Sequence, residues 1–249
     1  MLADRVRMGS GKSEFKDIWG TPGSAKLIAG DGEEGFFGEV PASELITGDA
    51  LASQVGISQG TSQHSTAGWL KFAYKGDILF VAKKPIRHSI SWDAINTAKC
   101  VYGDSGDKTV TIDYKTYKVT LMRALEPSND PKTVASGSSG AVNHHSEWNR
   151  LMGQIHEDAI NKNWGHPNNM ESDIGILEHS LGSGIQGMYS DADLIITSGD
   201  GRVSWCQEMA IIAGYHMVRG GYRVSRSEAT ASYSASSSYG WRPVLRLIS

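Results

Sequence analysis

Bond-making chemistry needs nucleophiles, acids, bases or metal ligands at workable spacing, and this chain offers few. Gly9-Ser-Gly-Lys12-Ser13 has the ending of a phosphate-binding loop. Such a loop requires a glycine five residues before Gly11, so that successive N–H groups wrap the phosphates. Val6 stands there, with no strand before it. His144-His145 lies beside Glu147, and His156 beside Glu157. Zinc ligands on one helix face are three or four residues apart, so these closer pairs are expected to cap or to face solvent. Asp191 and Asp193 share a face of any strand they occupy and could hold calcium, but no D-x-D-x-D-G loop accompanies them. Cys100 and Cys206 have no histidine close in sequence, and there is no G-x-S-x-G elbow. The two thiols are expected reduced and buried. No catalytic residue, metal site or cofactor is assigned, and the expectation is a protein that is not an enzyme.

Recognition chemistry is better supplied. From Tyr222 to Tyr239 the chain is almost wholly Arg, Ser, Ala and Tyr. Tyrosine gives large contact area at low entropy cost and serine gives adaptable hydrogen bonds, the chemistry of an antibody paratope. Tyr222, Arg223, Ser225, Arg226, Tyr233, Ser236, Ser237 and Tyr239 are the candidate ligand-binding residues. Gly220-Gly221 before them lets a strand leave a sheet in conformations other residues avoid. Gly240-Trp241-Arg242 after them returns the chain to a final strand, with Trp241 available to a core.

The elements that must position this ribbon follow from periodicity and punctuation. Trp69–Tyr74 and Ile78–Lys83 read as a hairpin about Lys75-Gly76-Asp77, the second strand buried on both faces. Lys108–Ile112 and Tyr117–Met122 alternate β-branched and polar residues as a second hairpin. Short helices are expected near 42–55, capped by Ser43 or Thr47, and from 91, capped by Ser89 or Ser91. Trp148, Leu151, Met152 and Ile155 define an apolar helix face behind a Ser146 cap. Glu126–Gly140 and 161–190 read as loop, while Asp193–Thr197, Met217–Arg219 and Trp241–Ile248 read as short strands. The class is α+β with antiparallel strands.

Composition sets the outer bounds. Glycine contributes 29 of 249 residues, and serine 30, too many for a helical bundle. A net charge of −3 provides no basic field for nucleic acid. No apolar run approaches the ~20 residues of a membrane helix, and Met1–Gly9 lacks the apolar core of a secretory signal. Residues 1–65 are rich in Gly, Ser, Asp and Glu, with isolated apolar pairs such as Ile18-Trp19, Leu27-Ile28 and Phe36-Phe37. They are expected to form an extended attachment and oligomerisation arm, with 66–249 as the folded domain.

Arg219-Gly220-Gly221 followed by Gly240-Trp241-Arg242 resembles the end of the formylglycine-generating-enzyme type of C-type lectin-like domain, with Trp241 in place of the usual Phe. That family includes sulfatase-activating oxidases and the receptor-binding tips of diversity-generating phages. The oxidases carry a copper-binding cysteine pair between these marks. Residues 222–239 contain none, so the resemblance implies the fold and a displayed surface without the oxidase activity. Glu126-Pro-Ser-Asn129 resembles the sugar-binding triplet of calcium-dependent lectins, but Ser128 replaces the Asn and a proline turn is expected. Gly68-Trp-Leu-Lys-Phe72 and Gly240-Trp-Arg-Pro-Val-Leu245 also resemble putative tail-fibre and virion proteins of tailed bacteriophages. The resemblance implies a virion component, attached to other virion proteins by its arm, trimeric in a fibre or spike, and binding host-surface glycan or protein. A purely architectural capsid decoration, collar or whisker protein is the alternative, and a divergent enzyme acting on host glycans the third.

Overall fold

The computed structural model describes residues 18–30, 34–125, 131–132, 146–156, 188–224 and 226–248. Thirteen strands among them form two sheets. The first contains β1 (Ala29–Gly30), β2 (Glu34–Val40), β4 (Trp69–Tyr74), β5 (Asp77–Ala82), β7 (Thr109–Ile112), β8 (Lys115–Thr120) and β13 (Val244–Leu247), in the order β1-β2-β4-β5-β13-β8-β7. The second contains β3 (Thr61–Ser62), β6 (Arg87–His88), β9 (Val203–Met209), β10 (Tyr215–Gly220), β11 (Ser227–Ala231) and β12 (Tyr239–Trp241), in the order β11-β10-β9-β12-β6-β3. Every pairing is antiparallel except β12 on β9. With α1 (Gly48–Val55), α2 (Trp92–Thr97), a π-helical turn α3 (Asn149–Gly153) and α4 (Asp191–Leu194), the class is α+β as expected. Among the described residues no helix is long and apolar enough to cross a membrane.

The β4–β5 hairpin turns on Lys75 and Gly76, both at positive φ (50° and 83°), the two-residue geometry that matches strand twist. Strand pleating then divides the side chains between two layers. Trp69, Ala73, Ile78, Phe80 and Ala82 join a cluster with Leu51 and Val55 of α1, Ile95 of α2, and Trp205, Val218 and Trp241 of the second sheet. Leu70, Phe72, Tyr74, Leu79 and Val81 join Trp148, Leu151, Met152 and Ile155 on the opposite side. The first sheet is thus covered on both faces, which explains its unbroken apolar strands. Thr47 caps α1, Ser91 caps α2 and the Ser146 hydroxyl accepts from the Asn149 N–H, as the cap residues predict.

Three expectations are corrected. The reading of 1–65 as an extended arm fails for residues 34–65. β2 lies inside the first sheet, strand pleating sends Phe36 and Phe37 to opposite layers beside a bulge between Phe36 and Gly38, and α1 fills the core. The boundary at 65/66 therefore divides a single packing unit; residues 1–17 lie outside the described ones. Asp193–Thr197 is no strand. Ser190 and Asp193 form a reciprocal capping box that nucleates α4, and Ile195 closes it in the left-handed region, φ 51°. The single final strand is two strands in different sheets, β12 and β13, because Pro243 lacks an N–H for a continuous ladder and Arg242 turns inward between them. The 161–190 loop falls outside the described residues except for 188–190.

Candidate functional site

The glycine–arginine marks flanking the tyrosine ribbon form a buried frame. A Cβ on Gly220 would come within 2.6 Å of the Arg202 carbonyl oxygen, and one on Gly240 within 2.5 Å of the Gly201 oxygen, so both backbones pass too close for a side chain. Arg219, fully buried, donates from Nη1 to the Ala124 carbonyl (3.1 Å) and from Nη2 to Asn149 Oδ1. Arg242 donates to Ser204 Oγ (3.2 Å), to the Ala82 (3.1 Å) and Lys83 carbonyls, and to those of Leu194 and Ile195. Both guanidinium groups stand 5.9 Å from the Trp148 ring centre, and the Trp148 indole N–H donates to Val224 O (2.7 Å). Two buried carboxylates complete the frame. Glu208 accepts from Arg123 Nε (2.6 Å) and the Ala124 N–H (2.9 Å), and Glu147 accepts from Arg246 Nη2 (2.7 Å) and the Arg123 N–H (2.9 Å). Burial pushes the Glu208 carboxyl up, and the Arg123 charge and the hydrogen bonds oppose that shift.

On this frame the ribbon divides. Residues 221–224 and 226 lie in the β10–β11 turn and residues 232–238 in the β11–β12 connection, at opposite ends of β11. At about 3.3 Å per residue the strand separates them by roughly 13 Å. The turn is fastened by Gly221 N–H to Ile196 O (2.8 Å), Gly220 N–H to Arg226 O (3.2 Å), Arg226 N–H to Arg223 O (3.2 Å), and the buried Val224. Tyr222 projects from it, 70% exposed, with the Arg226 guanidinium 4.3 Å from its ring centre and Arg226 paired to Glu228. Arg223 is half-buried beside it.

At the other end Tyr233 is 76% exposed, next to the β9–β10 turn that carries the exposed Ile211 and Ile212, through Ser232 N–H to Gly214 O (2.9 Å). Ser236 and Ser237 are exposed, and the Ser237 and Ser238 carbonyls accept from Gly201 and Val203. Tyr239 departs from the expected display. Its ring lies 5.1 Å from that of Trp205 and its hydroxyl 3.0 Å from Thr230 Oγ1, so it supports the sheet as much as it faces outward. Ser225 lies outside the described residues. Sequence reasoning missed Glu228, Ile211 and Ile212. Glu228 was detectable as the lone acid in the ribbon, whereas the isoleucines resembled ordinary strand residues.

The residues weighed for bond chemistry have structural partners. His156, expected to cap or to face solvent, is buried with Nε2 3.0 Å from Asp191 Oδ1. Glu147, under the same expectation of capping or solvation, is buried on Arg246. Asp193 serves the α4 cap, whose hydrogen bonds from Ser190 hold its carboxyl below the ordinary range. Both cysteines are unpaired and buried, and burial lifts the Cys100 thiol to about 12 and raises Cys206 as well. Among the described residues no three His, Cys, Asp or Glu side chains group as a metal site. Gly9–Ser13, Glu126–Asp130, His144-His145 and Glu157 lie outside the described residues. Comparison with protein-family models, curated proteins and solved structures finds no match.

Proposed function

We propose that the chain is a non-enzymatic structural protein of a tailed-bacteriophage virion, with a C-type lectin-like body whose C-terminal surface binds the host. One observation carries the binding part: Tyr222 and Tyr233 stand 70% and 76% exposed on a backbone locked from beneath. Leaving two large aromatic rings in water forfeits burial worth about 2 kcal/mol each, a cost that a partner recovers on contact. The virion part is supported by the residue resemblance at Gly68–Phe72 and Gly240–Leu245. Attachment to other virion proteins and trimer formation belong to the same proposal.

Particles carrying the Tyr222→Ala/Tyr233→Ala pair test it. The protein is expected in purified virions by mass spectrometry, and adsorption to host cells is expected to fall at least tenfold, about 1.4 kcal/mol, with particle yield unchanged. Unaltered adsorption favours the purely architectural reading, and absence from the particles removes the virion assignment.

A further inference from the structure

We infer that the cleft between the C-terminal ends of α1 and α2 binds a small amphipathic dianion, an apolar ring or short chain bearing a phosphate-monoester head. The inference goes beyond host binding and does not rest on it. The cleft has a volume of about 500 Å³, within the range of about 300–1,000 Å³ usual for small-molecule sites. Val55, Ile57, Ala94 and Ala98 supply its apolar lining, and Lys99 and Lys108 its charge. Lys108 donates its N–H to the Lys99 carbonyl (2.9 Å), which sets the two lysines side by side. Among the described residues no carboxylate lines the cleft or pairs with either lysine. The acids nearby are turned elsewhere. Asp107 Oδ2 accepts from the Gly103 (3.0 Å) and Asp104 (2.9 Å) N–H groups, and Asp104 pairs with Lys132. Asp49 and Asp93 belong to the first turns of α1 and α2, where Asp49 accepts from Ser62 and Asp93 lies toward His216. Two like charges held together repel, and a dianion between them reverses the sign of that energy.

Helix C-termini oppose an anion, but here only weakly. Each carries at most about half a charge, against a full charge on each lysine. Their last carbonyls are also partly engaged: Ala52 and Ser53 accept from Ile57 and Gly56, and Ile95 and Asn96 from Cys100 and Lys99. The walls are set before binding. Gln59 Oε1 accepts from the Ser91 N–H (2.9 Å) and hydroxyl (2.8 Å), which ties the segment after α1 to the cap of α2. Arg87 holds the Gln59 (3.0 Å) and Gly60 (2.9 Å) carbonyls from behind. Little backbone freedom is left to lose on binding. A Cβ on Gly56 would meet no atom within 4 Å, so the cleft stays open beside the end of α1. An ammonium group acts as a point charge without the fixed fork of a guanidinium, so the head is selected by its charge. The apolar lining selects what the head is attached to.

Phenyl phosphate titrated into the full isotope-labelled chain tests the site by amide NMR, at about pH 7.5, where the head carries close to two negative charges. Saturable shifts are expected at the amides of Gly56, Ser58, Thr97 and Lys99. Inorganic phosphate, which has the charge alone, and benzyl alcohol, which has the ring alone, should each bind at least tenfold more weakly. The Lys99→Gln/Lys108→Gln pair should weaken phenyl phosphate at least tenfold. Thr97 is an exposed lining residue, so Thr97→Glu should abolish the shifts by placing a carboxylate in the cleft, whereas Thr97→Gln should keep them. Near-UV circular dichroism is expected to be unchanged in all three variants. Absence of saturable shifts at the four amides overturns the site. So does equal affinity for inorganic phosphate, or undiminished binding by the double lysine variant.

Discussion

Arg242 uses all five of its N–H groups on one hydroxyl and four backbone carbonyls drawn from three segments of the chain. Burial weakens its hold on the proton but leaves it charged at neutral pH. A lysine has one donor atom and cannot reach such divergent acceptors. Arg242→Lys is therefore expected to lose about 3 kcal/mol in urea unfolding, because buried carbonyls are left without donors; a loss under 1 kcal/mol would refute the frame. His216 provides a second residue-scale prediction. Its ring stacks on Trp92 at 3.4 Å, its Nδ1 has no partner, and burial pulls its pKa from 6.5 to about 4, against a small upward pull from Asp93. Below pH 6.5 the unfolded chain binds a proton that folded His216 refuses. Stability should therefore decline as pH falls from about 6.5 to about 4 and level off below. The decline is worth about 3 kcal/mol for this group. Measured by urea midpoints across that range, His216→Phe should be less pH-sensitive than the parent by that amount.

At the scale of elements, the hairpins were the most legible part of the chain, since turn residues and alternation act within a few positions. Lys75-Gly76 and the two strands around it follow from local chemistry alone. The β7–β8 hairpin shows a residual local conflict. Asp113 and Tyr114 sit at φ 46° and 65°, with Tyr114 fully exposed, in a turn that favours glycine at its second position. Tyr114→Gly is expected to raise stability by about 0.5–1 kcal/mol in urea unfolding; a loss would show that the tyrosine makes a contact in solution. Elements decided by distant partners were not legible. Ile195-Ile196 favours a strand until the Ser190–Asp193 cap and the Arg242 contacts to Leu194 and Ile195 are known. Phe36 and Phe37 look like stray apolar residues in a polar region until their place in β2, a strand covered on both faces, assigns one to each layer. Within the candidate site, the exposure of Tyr222 and Tyr233 could be read from composition. The half-buried position of Tyr239 could not, because Trp205 and Thr230 set it from across the sheet.

For the molecule as a whole, the C-terminal segment joins the two sheets. β12 lies against β9 in one, and after Arg242-Pro243 the chain enters the middle of the other as β13. There β13 bonds β5 through Val244–Arg246 and β8 through Val244–Leu247, although those partners lie more than a hundred residues earlier. Contacts of such long range make folding slow to complete. A ribosome making this protein has emitted both flanking strands well before residue 244 appears. For that interval the nascent polypeptide carries two open, apolar ladder edges, the kind of surface to which another chain can add. The position of β13 thus leaves both neighbouring edges open to strand addition until residue 244 emerges, an exposure set by strand order alone.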